Sequence, residues 1–113
     1  MHAKIHRAAI TDANADYEGS ITLDRDFMES VGILEYEQVH VVDVDNGARF
    51  VTYAIAGERG SGDVVVNGAA ARLVSKGDLA IVIAYAEMEV EQARGLEPKV
   101  LFLNGANAQL VES

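Results

Sequence analysis

The stretch from Gln38 to Ile55 constrains the fold of this 113-residue chain more than any other segment. Valine-rich residues Gln38 to Val44 lead into Asp45-Asn46-Gly47, and Arg49 to Ile55 follow with strand-like character. Asn-Gly favours the positive φ angles of tight hairpin turns, so the segment predicts an antiparallel β-hairpin. In the second strand, regular pleating places Arg49, Val51 and Tyr53 on one face and Phe50, Thr52 and Ala54 on the other.

Short apolar runs between glycine-containing turns recur along the rest of the chain. They predict further strands at residues 2–10, 17–24, 63–66, 79–86 and 100–103. A short helix is predicted from Asp24 to Gly32, and a turn into a second one is predicted after Asn67. The remaining segments are predicted to be irregular: a connection at 11–16, a turn at 57–62, a weakly helical stretch at 87–97 and a fraying tail after Gly105. The pattern predicts one domain over residues 1–113, mainly β, built as a small barrel of mixed topology with short helices.

Composition excludes several functional classes. The net charge of −9 argues against binding to the phosphate backbone of a nucleic acid. No apolar run is long enough to span a bilayer, and the start lacks the apolar core of a secretion signal, so we expect no membrane partner and a cytoplasmic location. The chain has no cysteine, and its three histidines show no metal-ligand spacing, so no metal site is expected.

The pair Gly19-Ser20 can carry out covalent chemistry on the backbone itself. Attack of the Ser20 hydroxyl on the Gly19 carbonyl gives an ester, and loss of the Ser20 α-proton then eliminates the Gly19 carboxylate to leave dehydroalanine. Hydrolysis of dehydroalanine gives a pyruvoyl ketone. Glycine suits the first position because it has no Cβ and tolerates a strained backbone. Gly-Ser is a routine turn pair, so the pair alone does not indicate self-processing, and the rest of the chain must support that interpretation.

Other candidate residues are distributed along the chain. In the first predicted strand, His2, Lys4 and His6 share one face, and Ala3, Ile5, Arg7 and Ala9 share the other. The face of Lys4 and His6 is either a solvated face or the lining of an anion site. The small residues that follow Asn67 allow a ligand or another backbone to come close, and exposed N–H groups there can hold a carboxylate.

Five blocks, in order, resemble the bacterial pyruvoyl-dependent aspartate α-decarboxylases, which make β-alanine for pantothenate. The resemblance runs from about Lys4 to Ile83 and is weaker afterwards. The blocks are Lys4-Ile5-His6-Arg7, Tyr17-Glu18-Gly19-Ser20-Ile21-Thr22, Asn46-Gly47-Ala48-Arg49-Phe50-Val51-Thr52-Tyr53-Ala54-Ile55, Gly57-Glu58-Arg59-Gly60-Ser61 and Val66-Asn67-Gly68-Ala69-Ala70-Ala71.

The resemblance implies a double-psi β-barrel that assembles as a homotetramer with active sites between subunits. It implies cleavage between Gly19 and Ser20 into chains 1–19 and 20–113, with Ser20 becoming a covalent pyruvoyl group and with neither a metal nor pyridoxal phosphate. L-aspartate is the implied substrate and Tyr53 the implied proton donor. The implied substrate-binding residues are Thr52, Gly68, Ala69, Ala70, Arg49 and Lys4. The implied supporting residues are His6, Asn67 and Tyr17.

Several alternatives remain open at the level of the sequence. A pyruvoyl decarboxylase acting on another amino acid, above all glutamate, would carry the same junction. A catalytically silent interaction module or a small DNA-binding barrel would leave Ser20 an ordinary serine, and the net charge disfavours the DNA-binding version. Either substrate carboxylate suits Arg49, and maturation with or without a helper protein is compatible with the sequence. Regular pleating also separates Thr52 from Tyr53, which a bulge in that strand or a site shared between subunits would reconcile.

Overall fold

The computed structural model describes residues 1–108, which form one eight-stranded sheet with three short helices. The strands are β1 (Ala3–Ala9), β2 (Asp12–Asn14), β3 (Ser20–Asp24), β4 (Gln38–Asp43), β5 (Arg49–Gly57), β6 (Val64–Asn67), β7 (Leu79–Ala84) and β8 (Lys99–Phe102). The helices are α1 (Arg25–Val31), α2 (Val90–Arg94) and a 3₁₀ helix (Gly68–Leu73). The prediction of a mainly β fold with short helices is confirmed.

The sheet has mixed strand directions and the order β2-β6-β3-β5-β4-β7-β1-β8. β4 and β5 form the predicted antiparallel hairpin, in which Val41 is paired with Phe50. Three pairs are parallel, namely β1 with β8, β2 with β6, and β3 with β5. The parallel pairing of β3 with β5 and the antiparallel pairing of β3 with β6 place these three strands side by side, where they position the candidate site.

The core is an aliphatic cluster drawn from nearly every element of the sheet. Ile21, Leu23 and Val41 are among its fully buried members. Alternation along the strands leaves the other face partly exposed, because successive side chains point to opposite sides of a sheet. α1 adds Phe27, Met28 and Val31 to the cluster, as their helical spacing predicts.

A bulge in β1 overturns the predicted faces of the first strand. Arg7 has a positive φ of 64°, and the pairing of β1 with β7 shifts between Ile5 and Ala8. The extra residue reverses the alternation, so Ala8 is buried while Arg7 is exposed. Arg7 and Ala9 were predicted on the face of Ile5, and that prediction is wrong beyond the bulge.

Asp24 connects α1 to the loop of residues 57–62. Its carboxylate accepts N–H groups from Asp26 at 2.8 Å, Gly60 at 3.1 Å and Gly62 at 2.9 Å. Burial opposes ionisation of this carboxyl, but the three N–H donors and the charge of Arg59 together lower its pKa. α1 ends at Gly32, whose φ of 78° makes it the predicted C-terminal cap.

Two further predictions are corrected by the structure. Asp12–Asn14 form β2, paired with β6, although their polar character predicted a connection. Asn107 was predicted to lie in a fraying tail, but its amide binds both backbone groups of Ala9 and the carbonyl of Gly62. Residues 109–113 of that predicted tail lie outside the described residues. Over residues 1–108, no helix combines the length and the apolar character needed to cross a membrane.

Candidate active site

Ser20 and Thr22 lie on the same face of β3, and β3 is paired with β6. The two strands are antiparallel, with Ser20 paired to Asn67 and Thr22 paired to Val65. β5 runs parallel to β3 on its other side, and Ile21 is paired with Ala54. This register places Tyr53 next to Ser20 across the sheet.

These residues line a cavity of about 580 Å³. Ser20 and Asn67 are 6% and 9% exposed, whereas Tyr17 at the rim is 67% exposed. The cavity is lined by Asp16, Tyr17, Glu18, Ser20, Thr22, Tyr53, Ile55 and Asn67. Four predicted site residues, Ser20, Tyr53, Asn67 and Tyr17, are thus brought together.

The amide of Asn67 links the two hydroxyl groups of β3. Its Nδ2 donates to Ser20 Oγ at 3.0 Å and to Thr22 Oγ1 at 3.2 Å. Thr22 was not predicted as a site residue. The alternation of Ser20 and Thr22 along the strand was the signal that could have identified it.

The Gly19–Ser20 junction packs against the start of the 3₁₀ helix. A Cβ on Gly68 would lie 2.6 Å from Gly19 Cα and 2.7 Å from Gly19 N, so only glycine allows this approach. Gly68 also has a positive φ of 80°. Gly19 itself lies outside the left-handed region, and a Cβ there would meet nothing within 4 Å beyond its chain neighbours. The backbone strain expected at Gly19 is therefore absent, and the steric requirement for glycine lies at Gly68.

Thr52 is not part of the cavity lining within the described residues 1–108. The pairings of β5 with β3 and with β4 both continue without a shift, so the bulge suggested for this strand is absent. Thr52 lies opposite buried Val39, on the other face from Tyr53. Ala69 and Ala70 follow Gly68 in the 3₁₀ helix and are also absent from the lining.

Arg49 and Lys4 lie apart from the cavity. Arg49 shares a face of β5 with Tyr53, but the two lie four residue steps apart along the strand, a distance of about 13 Å. Its Nη2 donates to the Tyr85 hydroxyl at 3.5 Å. Lys4 is paired with Ile83 of β7, which lies two strands from β5 in the sheet.

His6 lies beside Phe102 of β8, with ring centroids 5.7 Å apart in an edge arrangement. Its Nδ1 is buried and has no hydrogen-bond partner among residues 1–108. Burial lowers the pKa of His6, and the charges of Lys4 and Arg7 lower it further. His6 is therefore suited to a neutral role at pH 7.

A group of carboxylates missed by the sequence analysis lies at the turn between β4 and β5. Oxygens of Asp43, Asp45 and Asp78 lie within 4.8 Å of one another. Asp43 is fully buried, and its Oδ1 accepts N–H groups from Asp45 and Asn46 while its Oδ2 has no partner within residues 1–108. Burial raises the pKa of Asp43, and the adjacent Asp78 carboxyl raises it further.

Comparison with known proteins identifies the family. The family model described as aspartate decarboxylase matches residues 1–110. The chain belongs to the aspartate decarboxylase family. An aspartate 1-decarboxylase of Thermoanaerobacter pseudethanolicus is 55% identical over 107 residues, which cover 95% of this chain and 92% of that protein. Aspartate 1-decarboxylases of Acetivibrio thermocellus and Clostridium botulinum are 56% and 50% identical over 95% of this chain, covering 85% and 84% of their own lengths.

The fold of this aspartate decarboxylase family member is also similar to that of a designed protein. The crystal structure of the rationally designed protein mkDPBB_sym_86 superposes with a TM-score of 0.54 and 19% identity. The match covers 72% of this chain and 95% of the designed one. At this identity the likeness concerns the fold alone, and it confirms the predicted double-psi β-barrel.

Proposed function

We propose that this chain decarboxylates L-aspartate to β-alanine and carbon dioxide, using a pyruvoyl group made from its own Ser20. The single observation that carries the proposal is the Gly19–Ser20 junction, which faces a cavity with a hydrogen-bond donor at Ser20 Oγ. The printed names of the relatives support the substrate, since all three are called aspartate 1-decarboxylases.

Self-cleavage follows from the chemistry of the junction. Ser20 Oγ attacks the Gly19 carbonyl carbon, the peptide C–N bond breaks, and an ester with a free Ser20 amino group forms. Loss of the Ser20 α-proton forms a Cα=Cβ double bond and expels Gly19 as a carboxylate that keeps Oγ. Water then adds to the remaining enamine in its imine form, ammonia leaves, and the ketone remains at residue 20. Chains 1–19 and 20–113 result, with one water consumed.

The residues around Ser20 fit a small prosthetic group at this position. A pyruvoyl group supplies an electron sink for the electrons released by decarboxylation. Tyr53 lines the same cavity, so its hydroxyl is suited to deliver a proton to the substrate carbon that loses its carboxylate.

Binding of a dicarboxylate requires positive charge that this cavity lacks. Asp16 and Glu18 line it, and none of its lining residues within positions 1–108 is Lys or Arg. The cations expected to hold substrate are Arg49, which is exposed, and Lys4, which is half-buried, and the strand register places both on one face of the same sheet. A second copy that presents this face to the cavity would supply them, which supports a homotetramer with sites between subunits. The planar fork of Arg49 suits a substrate carboxylate.

The decisive experiment is the intact mass of the purified chain, combined with an activity assay. We expect fragments 1–19 and 20–113, the larger one with a blocked N-terminus that borohydride reduces, and release of carbon dioxide from aspartate. Ser20→Ala should fold, stay intact and be inactive. An active wild-type preparation whose junction is intact and whose ketone cannot be trapped would refute the proposal. Faster turnover of glutamate than of aspartate would instead refute the assigned substrate.

A further inference from the structure

Thr22 holds the amide that contacts the reacting serine. It lies two residues after Ser20 on β3, so both side chains project from the same face of the strand. Both hydroxyls accept from Asn67 Nδ2, at 3.0 Å for Ser20 and 3.2 Å for Thr22. A side-chain amide nitrogen carries two hydrogens, so these two hydroxyls use both donors of Asn67. The Thr22 hydroxyl thereby fixes the amide at a second point.

We propose that Thr22 is a positioning residue for self-cleavage, whose hydroxyl keeps the Asn67 amide against Ser20 Oγ. The inference rests on the proposed function, because it concerns maturation of the same junction. Thr22 acts through Asn67, and Asn67 touches the atom that reacts.

A donor at Oγ suits the elimination step better than the initial attack. During attack, Oγ must offer a lone pair to the Gly19 carbonyl, and a hydrogen bond donated to Oγ competes for that pair. During elimination, the Ser20 α-proton passes to a solvent water and the electron pair forms the Cα=Cβ bond. The Cβ–Oγ bond breaks with its electrons left on Oγ, now part of the Gly19 carboxylate. Negative charge thus develops on the atom that the Asn67 amide faces.

The magnitude of the expected effect follows from other preorganised donors. Removing one donor aimed at a developing oxyanion slows a reaction by about 10²- to 10³-fold. Loss of the Thr22 hydroxyl loosens the Asn67 donor without removing it, so we expect a smaller effect, roughly tenfold on the elimination rate.

The surroundings of Thr22 allow its hydroxyl to be tested separately from its shape. Thr22 Cγ2 packs near Gly57, where an added Cβ would lie 3.1 Å from it. Thr22→Val keeps this methyl group and the branched shape favoured in strands, and it replaces only the hydroxyl, by a second methyl group. Thr22→Ser keeps the hydroxyl and loses the methyl group, so it is the matched control.

The experiment follows freshly purified full-length chains over time by intact mass, with and without hydroxylamine, which cleaves esters. Wild type and Thr22→Ser should give fragments 1–19 and 20–113 at similar rates. Thr22→Val should mature about tenfold more slowly and accumulate the ester, seen as hydroxylamine-released 20–113 with a free amino group at Ser20. In an Asn67→Ala background, Thr22→Val should cause no further slowing.

The outcomes separate this inference from the proposed function. Wild-type rates in Thr22→Val, or additive slowing with Asn67→Ala, would overturn the positioning role. Slow maturation without ester would overturn the assignment to elimination. A wild-type chain that never cleaves would overturn the proposed function itself. Thermal unfolding checks that each variant folds. If Thr22→Val does not fold, the maturation rate of Thr22→Ala is compared with that of Thr22→Ser, and the same outcomes decide the positioning role.

Discussion

At the scale of single residues, Gly68 carries the clearest steric constraint on the candidate site. Its Cα lies against the backbone of Gly19, which cannot move aside as a flexible side chain would. We expect Gly68→Ala to lower the free energy of unfolding by about 2–4 kcal/mol, from the strained φ together with overpacking. It should also slow self-cleavage, because the new methyl group displaces Gly19. Chemical denaturation and intact mass measure the two effects.

Gly77→Ala is the matched control for Gly68→Ala. Gly77 also has a positive φ, of 95°, but a Cβ there meets nothing within 4 Å. Gly77→Ala should therefore lower the free energy of unfolding by about 1 kcal/mol, through backbone strain alone, and leave the cleavage rate unchanged. Equal destabilisation by the two substitutions would show that the contact with Gly19 is unimportant.

Tyr53 provides a second test at this scale. Tyr53→Phe keeps the ring, which lies 6.5 Å from the ring of Tyr36, and removes only the hydroxyl. The variant should mature normally but lose about 10²-fold or more in kcat, as expected for loss of a proton donor. Steady-state kinetics on the fully cleaved protein measure this, with exposed Tyr36→Phe as the control. An unchanged kcat would remove Tyr53 as the donor.

Sequence reasoning found part of this site and missed the rest for a physical reason. Ser20 and its glycine partner are adjacent in the chain, so the junction is visible in the sequence. The bond from Asn67 to Thr22 depends on the register of two strands that lie far apart in the sequence. No local pattern encodes that register.

At the scale of elements, the turn between β4 and β5 contains a buried acid that costs stability. The folded state raises the pKa of Asp43 above its ordinary value, because the carboxyl is buried and lies beside Asp78. Folded protein therefore binds this proton more tightly than unfolded chain does. The contribution of Asp43 to the free energy of unfolding is therefore most favourable at pH values below its ordinary pKa. This contribution is lost as the pH rises through the raised pKa.

Asp43→Asn should therefore stabilise the protein at pH 7. The amide oxygen can still accept the N–H groups of Asp45 and Asn46, and the new NH₂ group can donate to Asp78. We expect a gain of about 1–3 kcal/mol in the free energy of unfolding and a flatter dependence on pH above the ordinary pKa.

Urea denaturation across pH 4 to 8 measures this gain. The control is Asp45→Asn, at an exposed position, and its free energy of unfolding should stay within about 0.5 kcal/mol of the wild-type value. Destabilisation by Asp43→Asn, or a wild-type melting temperature that rises with added calcium or magnesium, would contradict this account of the turn.

The elements themselves were predictable where the signal is local. The hairpin of β4 and β5 and helix α1 follow from an Asn-Gly turn and from apolar residues at helical spacing. β2 was missed because Asp12–Asn14 are polar and pair with β6 through their backbone. The reversal of faces in β1 depends on the positive φ of Arg7, which no sequence pattern signals.

At the scale of the whole molecule, the separation of Arg49 from the Ser20 cavity predicts complementation between chains. Ser20→Ala and Arg49→Ala should each be inactive alone. In mixed oligomers, about a quarter of the sites should combine Ser20 of one copy with Arg49 of another, if each site joins two subunits. Co-expression, native mass spectrometry and the decarboxylation assay test this. Mixed oligomers without activity would show that each site is confined to one chain.

The order of strands in the sheet was beyond sequence reasoning from pattern alone. β3 pairs in parallel with β5, although α1 and β4 lie between them in the sequence. β1, near the start of the chain, pairs with β8 near its other end. Such pairings depend on long-range packing, whereas periodicity reports only on neighbours in sequence. The double-psi topology was expected from the resemblance to a family, and the strand pattern predicted only a small mixed barrel.

The position of β1 has a consequence for the refolding of the protein if the chain is cleaved as proposed. β1 lies between β7 and β8, with Ile5 and Ala8 fully buried, and the proposed cleavage would assign it to the 1–19 piece. Before the cut, the short piece is tethered and folds at a high effective concentration. After the cut, unfolding releases a free peptide, and reassembly becomes a bimolecular encounter that dilution opposes. The uncleaved chain should therefore refold from denaturant without any association of separate pieces, whereas a chain cleaved as proposed should regain its structure in a way that depends on dilution.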